Sequence, residues 1–158
     1  MKMFHISLLL LIWFVLAFHV TQAQSDTVPP TVHQKAIVPS QVDTSEGEQV
    51  ITVTLQVTDD LSGVAYAQVL FHPTVESTQY LAMNTAGDPN SDTIVLIGRL
   101  PQYSAQGVWR LISISTKDNA GNIRYFDPYD EDWPPGDERF INGEYHEIFL
   151  PSVAKTNS

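Results

Sequence analysis

Cysteine is absent from all 158 residues. That excludes disulfide staples, a thiolate nucleophile, a cysteine-based zinc site and a lipid-accepting cysteine. Basic residues are scarce as well: 8 Lys plus Arg stand against 18 Asp plus Glu, a formal net charge of −10 at pH 7. A chain of that sign repels phosphate backbones, and no basic patch relieves it, so nucleic acid is excluded as a partner. The histidines form no H-E-x-x-H or i, i+4 pair, which argues against zinc ligation. There is no G-x-S-x-G elbow and no phosphate-cradling glycine loop. Two carboxylates for glycoside hydrolysis could be drawn from eighteen only arbitrarily. With no assembled constellation of reactive groups, the chain is expected not to be an enzyme.

One long apolar run is present, at the start. "MKMFHISLLLLIWFVLAFHVTQAQ" has Lys2 near its beginning, an apolar core over residues 6–18 and the small-residue exit Thr21-Gln22-Ala23. A charged start, a short apolar run and an A-x-A-like end describe a secretory signal peptide over residues 1–23. The run falls short of the roughly 20 residues that span a bilayer, so no stable membrane anchor is expected after cleavage. The expected location is secreted or extracellular, whether released, periplasmic or held at the cell surface. Removal of the leader leaves 135 of the 158 residues, with 7 basic against 18 acidic side chains and a formal charge of −11. A domain of that length buries roughly two-thirds of its unfolded surface, so packing can hold it without disulfides.

Residues 24–29 read as a linker, and after them short β-rich segments are separated by Gly, Pro, Asn, Asp and Ser. Without a helical period, that pattern predicts an all-β sandwich or barrel. The clearest strand is 49–58, where Ile51, Val53, Leu55 and Val57 alternate with Thr52, Thr54 and Gln56. Further strands are expected at 31–38, 64–71, 78–83, 93–98, 108–116 and 123–126, seven in about a hundred residues, the usual count for an immunoglobulin-like sandwich. In 108–116 the apolar phase changes, since Trp109 and Leu111 share one face and Ile112 and Ile114 the other. A β-bulge near 111–113 is expected, to bring both pairs to the core. After residue 126 the composition turns acidic, aromatic and Pro-rich, giving an irregular extension over 127–158 with one more possible strand at 144–150.

Four pieces, "DTVPPTV" at 26–32, "VTDDLSGV" at 57–64, "GVWRLISI" at 107–114 and "KDNAGN" at 117–122, resemble in order and spacing the bacterial extracellular immunoglobulin-like domains. The resemblance covers residues 26–126. It implies an immunoglobulin-like β-sandwich over 30–126, used as a spacer, adhesive or accessory module. Such modules often stand beside enzyme domains, and here there is one copy and no enzyme domain. The tail "IFLPSVAK" resembles a short Leu-Pro-containing end of various secreted bacterial proteins; it lacks the Thr-Gly of a cell-wall sorting signal.

The acidic loops allow two readings. Asp118-Asn119-Ala120-Gly121 and Asp60-Leu61-Ser62-Gly63 both follow the grammar of a type I turn, with Asp first and Gly fourth, and turn chemistry alone explains them. In an immunoglobulin-like order the two loops share one end of the sandwich with the approach to the first strand. Asp59, Asp60, Asp118, Asn119 and Asn122 would then converge, with Asp26 nearby, on a calcium site of oxygen ligands. A second acidic cluster, Asp127, Asp130, Glu131 and Asp132, flanks Tyr129 and Trp133. It reads as a solvated loop, as another cation site, or as an aromatic surface that contacts an extracellular protein or glycan. Trp109 is expected in the core. The expected function is a non-catalytic extracellular binding or adhesion module. The alternative is an accessory component of a larger secreted or cell-surface assembly, docked through the sandwich edge or the C-terminal extension.

Overall fold

The alternation along residues 49–58 becomes a ladder with one dry face. Ile51, Val53, Leu55 and Val57 are buried there while their neighbours point outward, as the two-residue period of a strand dictates. In the computed structural model, residues 25–88 and 91–144 are described. The signal peptide expected over 1–23, the strand expected at 144–150 and the Leu-Pro tail lie wholly or mainly outside those residues.

Among the described residues there is no helix. Nine strands run β1 (Thr31–Val38), β2 (Gln41–Val42), β3 (Gln49–Thr58), β4 (Val64–Pro73), β5 (Leu81–Ala86), β6 (Thr93–Leu100), β7 (Gly107–Asp118), β8 (Ile123–Phe126) and β9 (Arg139–Asn142). They form two sheets, one in the order β1-β3-β6 and one in the order β2-β9-β7-β4-β5, with β8 also paired to β7. The sheets pack face to face as a β-sandwich. The core between them holds Ile51, Val53 and Leu96 from one side and Val69, Phe71, Leu111 and Ile114 from the other.

Among the described residues nine strands therefore stand where seven were expected. β2 has only two residues, too few to show a period. β9 contains Phe140 and Ile141 between charged and polar neighbours, so its local pattern resembles the acidic loop before it. The strand expected at 78–83 runs instead from Leu81 to Ala86, because pairing Leu81 with Phe71 and Met83 with Val69 turns both Leu81 and Met83 inward.

The phase change in β7 is accompanied by the expected bulge, but the bulge brings only Ile114 of the second pair to the core and leaves Ile112 outside it. Phe71 pairs with Leu111 and Leu70 with Ser113, so Ile112 has no partner and lies half-buried while Trp109, Leu111 and Ile114 are buried. A second irregularity in β4, between Val64 and Tyr66, keeps Val64 opposite Asp118 on the core side. The inward row of β7 thus ends in two buried polar residues, Thr116 and Asp118.

The chain returns to the sheet through a strap laid along β1. Lys35 and Gly136 form a parallel bridge, and the Lys35 amide donates to the Pro135 carbonyl at 3.0 Å. The buried Lys35 ammonium donates to the Pro134 carbonyl and lies 4.7 Å from the centre of the Trp133 ring. Burial lowers the pKa of this lysine, and the charges of Glu138 and Asp137 work the other way. Gly136 has φ +118°, and a Cβ there would collide with the Lys35 carbonyl, so only glycine admits so close an approach. Beyond the strap, Phe140 stacks on Trp109 at 5.8 Å and meets Phe71 at 5.3 Å. Asn142 is fully buried, and its amide donates to Thr44 Oγ1 at 2.9 Å and to the Ser104 and Ala105 carbonyls at 3.0 Å.

Phe140→Ala is expected to cost roughly 3–5 kcal/mol, read as a lower urea midpoint with an unchanged slope. A loss under about 1 kcal/mol would mean that β9 does not share the core of the sandwich.

Candidate functional site

One end of the sandwich is built by three segments: the chain entering β1, the β3–β4 loop and the β7–β8 hairpin. The hairpin is organised by Asp118, whose Oδ1 accepts from the Gly121 amide at 2.6 Å and the Asn122 amide at 2.8 Å. Its Oδ2 accepts from the Asn122 side-chain amide at 2.6 Å. Gly121 has φ +101°, the left-handed conformation that a tight hairpin asks of glycine. In the β3–β4 loop the capping carboxylate is Asp59, not Asp60: its Oδ2 accepts from the Gly63 amide at 2.6 Å.

The two loops are tied to each other. The Asn119 side-chain amide donates to the Ser62 carbonyl at 2.9 Å and the Gly63 carbonyl at 3.0 Å, while the Ala120 amide donates to Ser62 Oγ at 3.2 Å. The entering segment joins them through Asp26. Its Oδ2 accepts from the Ser62 amide at 3.0 Å, and its carbonyl accepts from the Asn122 side chain at 3.3 Å.

Of the carboxylates, Asp26, Asp59 and Asp60 come together, each offering an oxygen within 4.8 Å of the others. Their electrostatics differ. Hydrogen bonding from Ser62 holds Asp26 below the usual carboxylate range, whereas partial desolvation and then the Asp26 charge raise Asp60. Asp59 Oδ1 is buried and has no hydrogen-bond partner. Three convergent carboxylates with one unpartnered oxygen suit a hard divalent cation, which completes its six to eight oxygens from backbone and water. Asp118, Asn119 and Asn122 stand beside this trio in the hairpin and hold the loops, rather than belonging to the trio.

The other candidate region is the outer face of the larger sheet around β7 and β9. The turn after β8 closes on itself, with the Asp127 amide donating to Asp130 Oδ2 at 2.8 Å and the Tyr129 amide to Asp127 Oδ1 at 3.0 Å. This leaves the Tyr129 ring 96% exposed. Trp133 is half-buried over Lys35, and its Nε1 donates to Glu138 Oε1 at 3.2 Å, so it packs the strap more than it faces solvent. Two shallow grooves meet here. One of about 530 Å³ is lined by Gln41, Arg110, Asp137, Glu138 and Arg139, and one of about 500 Å³ by Arg110, Ile112, Asp127, Tyr129 and Glu138. Sequence reasoning found Tyr129 but missed Arg110, Glu138 and Arg139. Arg110 is a lone charge among apolar neighbours and Glu138 and Arg139 read as part of an acidic stretch, so only the β7–β9 pairing puts Arg110 beside them.

Comparison with known protein families gives no match, and none of the curated proteins compared matches the chain.

Asp118→Ala is expected to remove about 3 kcal/mol, because it leaves three donors of the hairpin without their charged acceptor. The thermal midpoint of the variant reads this directly, and an unchanged midpoint would mean that the hairpin holds without its carboxylate.

Proposed function

We propose that the chain is an exported, non-catalytic immunoglobulin-like module for extracellular binding or adhesion, contacting a protein or glycan and stabilised at one loop end by calcium. The observation that carries the binding reading is the pair of grooves joined at Arg110 and Glu138, with the almost fully exposed Tyr129 as one wall. Shallow grooves, one mainly polar and one mainly apolar, edged by an aromatic ring suit contact with surfaces that mix hydroxyl or amide groups with apolar faces. The four motif stretches at 26–32, 57–64, 107–114 and 117–122 support the immunoglobulin-like assignment. Three of them supply the entering segment and the two tied loops that build one end of the sandwich, and the remaining one, 107–114, supplies the bulged strand that leads into it. Mature chain passed over immobilised glycans and envelope proteins is expected to be retained. Tyr129→Ala should abolish retention with no change in thermal midpoint.

A second reading, an accessory component of a larger secreted or cell-surface assembly, draws on β6. This strand is an edge of its sheet and presents Val95 and Ile97 outward at 48% and 62% exposure. A stoichiometric partner lost on Ile97→Lys, with Tyr129→Ala harmless, would favour it.

Calcium is the expected ion for Asp26, Asp59 and Asp60, and proton linkage sets when it binds. The raised Asp60 pKa means that the folded state holds its proton more tightly than the unfolded one, so this group's contribution is lost as pH rises through the carboxylate range. The lowered Asp26 pKa works oppositely: its contribution is present above the ordinary carboxylate pKa and lost as pH falls. Beyond desolvation, repulsion from the Asp26 charge raises the Asp60 pKa, and a divalent cation offsets that repulsion. Calcium at a hundredfold excess over its Kd is expected to stabilise the chain by about 2.7 kcal/mol at pH 7. The rise should disappear near pH 4, where protons compete, and in Asp59→Asn. No rise at pH 7 would remove calcium from the proposal.

A further inference from the structure

Six basic residues are described, and four of them are accounted for or stand elsewhere. Arg99 pairs with Glu48, Arg124 pairs with Asp132, Lys35 is buried under the strap, and Lys117 lies toward the far end of β7. The remaining two, Arg110 and Arg139, are directly opposite each other in the β7–β9 ladder. Both are exposed, and both flank inward aromatic residues, Trp109 and Phe140, so their side chains share the outer face. Neither guanidinium has a hydrogen bond or ion pair among the described residues. Like charges directly opposite on a sheet repel, with side-chain bases roughly 5 Å apart. In a chain this acidic, two unpaired arginines lining one groove stand out as cationic donors set among carboxylates.

We infer that the joined grooves bind a carboxylate-bearing saccharide, a sugar acid of the uronate class, with its carboxylate between Arg110 and Arg139. The inference rests on the binding-module reading above and names its ligand class. Guanidinium groups present planar, paired donors that match a carboxylate, and two of them line the same groove here. The same grooves carry acceptors, the carboxylates of Asp127, Asp137 and Glu138, and the amide of Gln41. Those acceptors suit the hydroxyls of a sugar ring, which donate as well as accept. They also work against a dense polyanion: sulfated chains, nucleic acid and acidic peptide would bring several charges against three carboxylates. One carboxylate among many hydroxyls fits the observed mixture of charges. Tyr129, exposed at the end of the second groove beside Ile112, offers an apolar face on which the next sugar ring can stack.

The test uses the mature chain with short oligosaccharides that carry a single galacturonate or glucuronate among neutral sugars, each paired with its methyl ester, which removes the charge at nearly constant shape. Isothermal titration is expected to show that an acid form binds at least tenfold more tightly than its ester, with affinity falling as salt is added. Arg110→Gln and Arg139→Gln should each weaken acid binding about tenfold, the scale of a charge-assisted hydrogen bond, and leave the thermal midpoint unchanged. Equal binding of acid and ester, undiminished binding in both arginine variants, or no binding of either acid would overturn the inference. In those cases, retention of the same preparation on neutral glycans or envelope proteins leaves the module reading standing. Loss of all retention overturns both.

Discussion

The β7 strand, with one residue inserted at Ile112, is the constraint on which the rest of the molecule depends. It ladders with β4, β8 and β9, so each neighbour inherits its phase. Before the bulge its inward residues are Trp109 and Leu111; after it they are Ile114, Thr116 and Asp118. Without the inserted residue, one of these sets would face solvent, because a one-residue slip turns every side chain to the other face. The same phase sends Arg110 outward into the grooves and Asp118 inward under the loop end. Both candidate sites are therefore set by one irregularity in one strand.

The two sites differ in how they are held. The loop end is rigid through hydrogen bonds: Asp118 caps its own hairpin, Asn119 ties that hairpin to the β3–β4 loop, and Asp26 draws the entering chain onto both. Buried acceptors matched by donors hold the segments without a large apolar core. The groove region is held by packing. Phe140 on Trp109 fixes β9 beside β7, and the strap over Lys35 fixes the residues that lead into it. Changes that loosen the strap would shift Asp137, Glu138 and Arg139 together, since all three follow directly from Gly136. A buried lysine ammonium held by one carbonyl and an aromatic face is a demanding way to anchor a segment, because removing either partner leaves a charge uncompensated.

Much of the architecture was legible in the chain. Period-two alternation located β3 and β6 closely, the apolar phase break placed the bulge, and Asp-Gly turn grammar marked both loops. β1, β3 and β8 begin and end where the pattern said. Less legible were β2, too short to have a period, and β9, whose Phe140 sits among charges and reads locally as loop. Of the site, Asp59, Asp60 and Tyr129 stood out by type and position, and Asp26 by its place in the entering segment. The convergence of Asp26 with Asp59 and Asp60, while Asp118 turned to its own hairpin, followed from which backbone amides lay within reach.

By itself the sequence determined the features that depend on near neighbours: the acidic charge, the freedom from disulfides, the strand periodicity, the bulge and the turns. These rest on alternation and side-chain chemistry over a few residues, which sequence displays directly. Only the tertiary structure decided which distant residues meet. It set β9 between β2 and β7, closed the strap over Lys35, and placed Arg110 opposite Arg139. Those outcomes depend on long-range pairing and burial, where a residue's role is set by a partner far away in the chain.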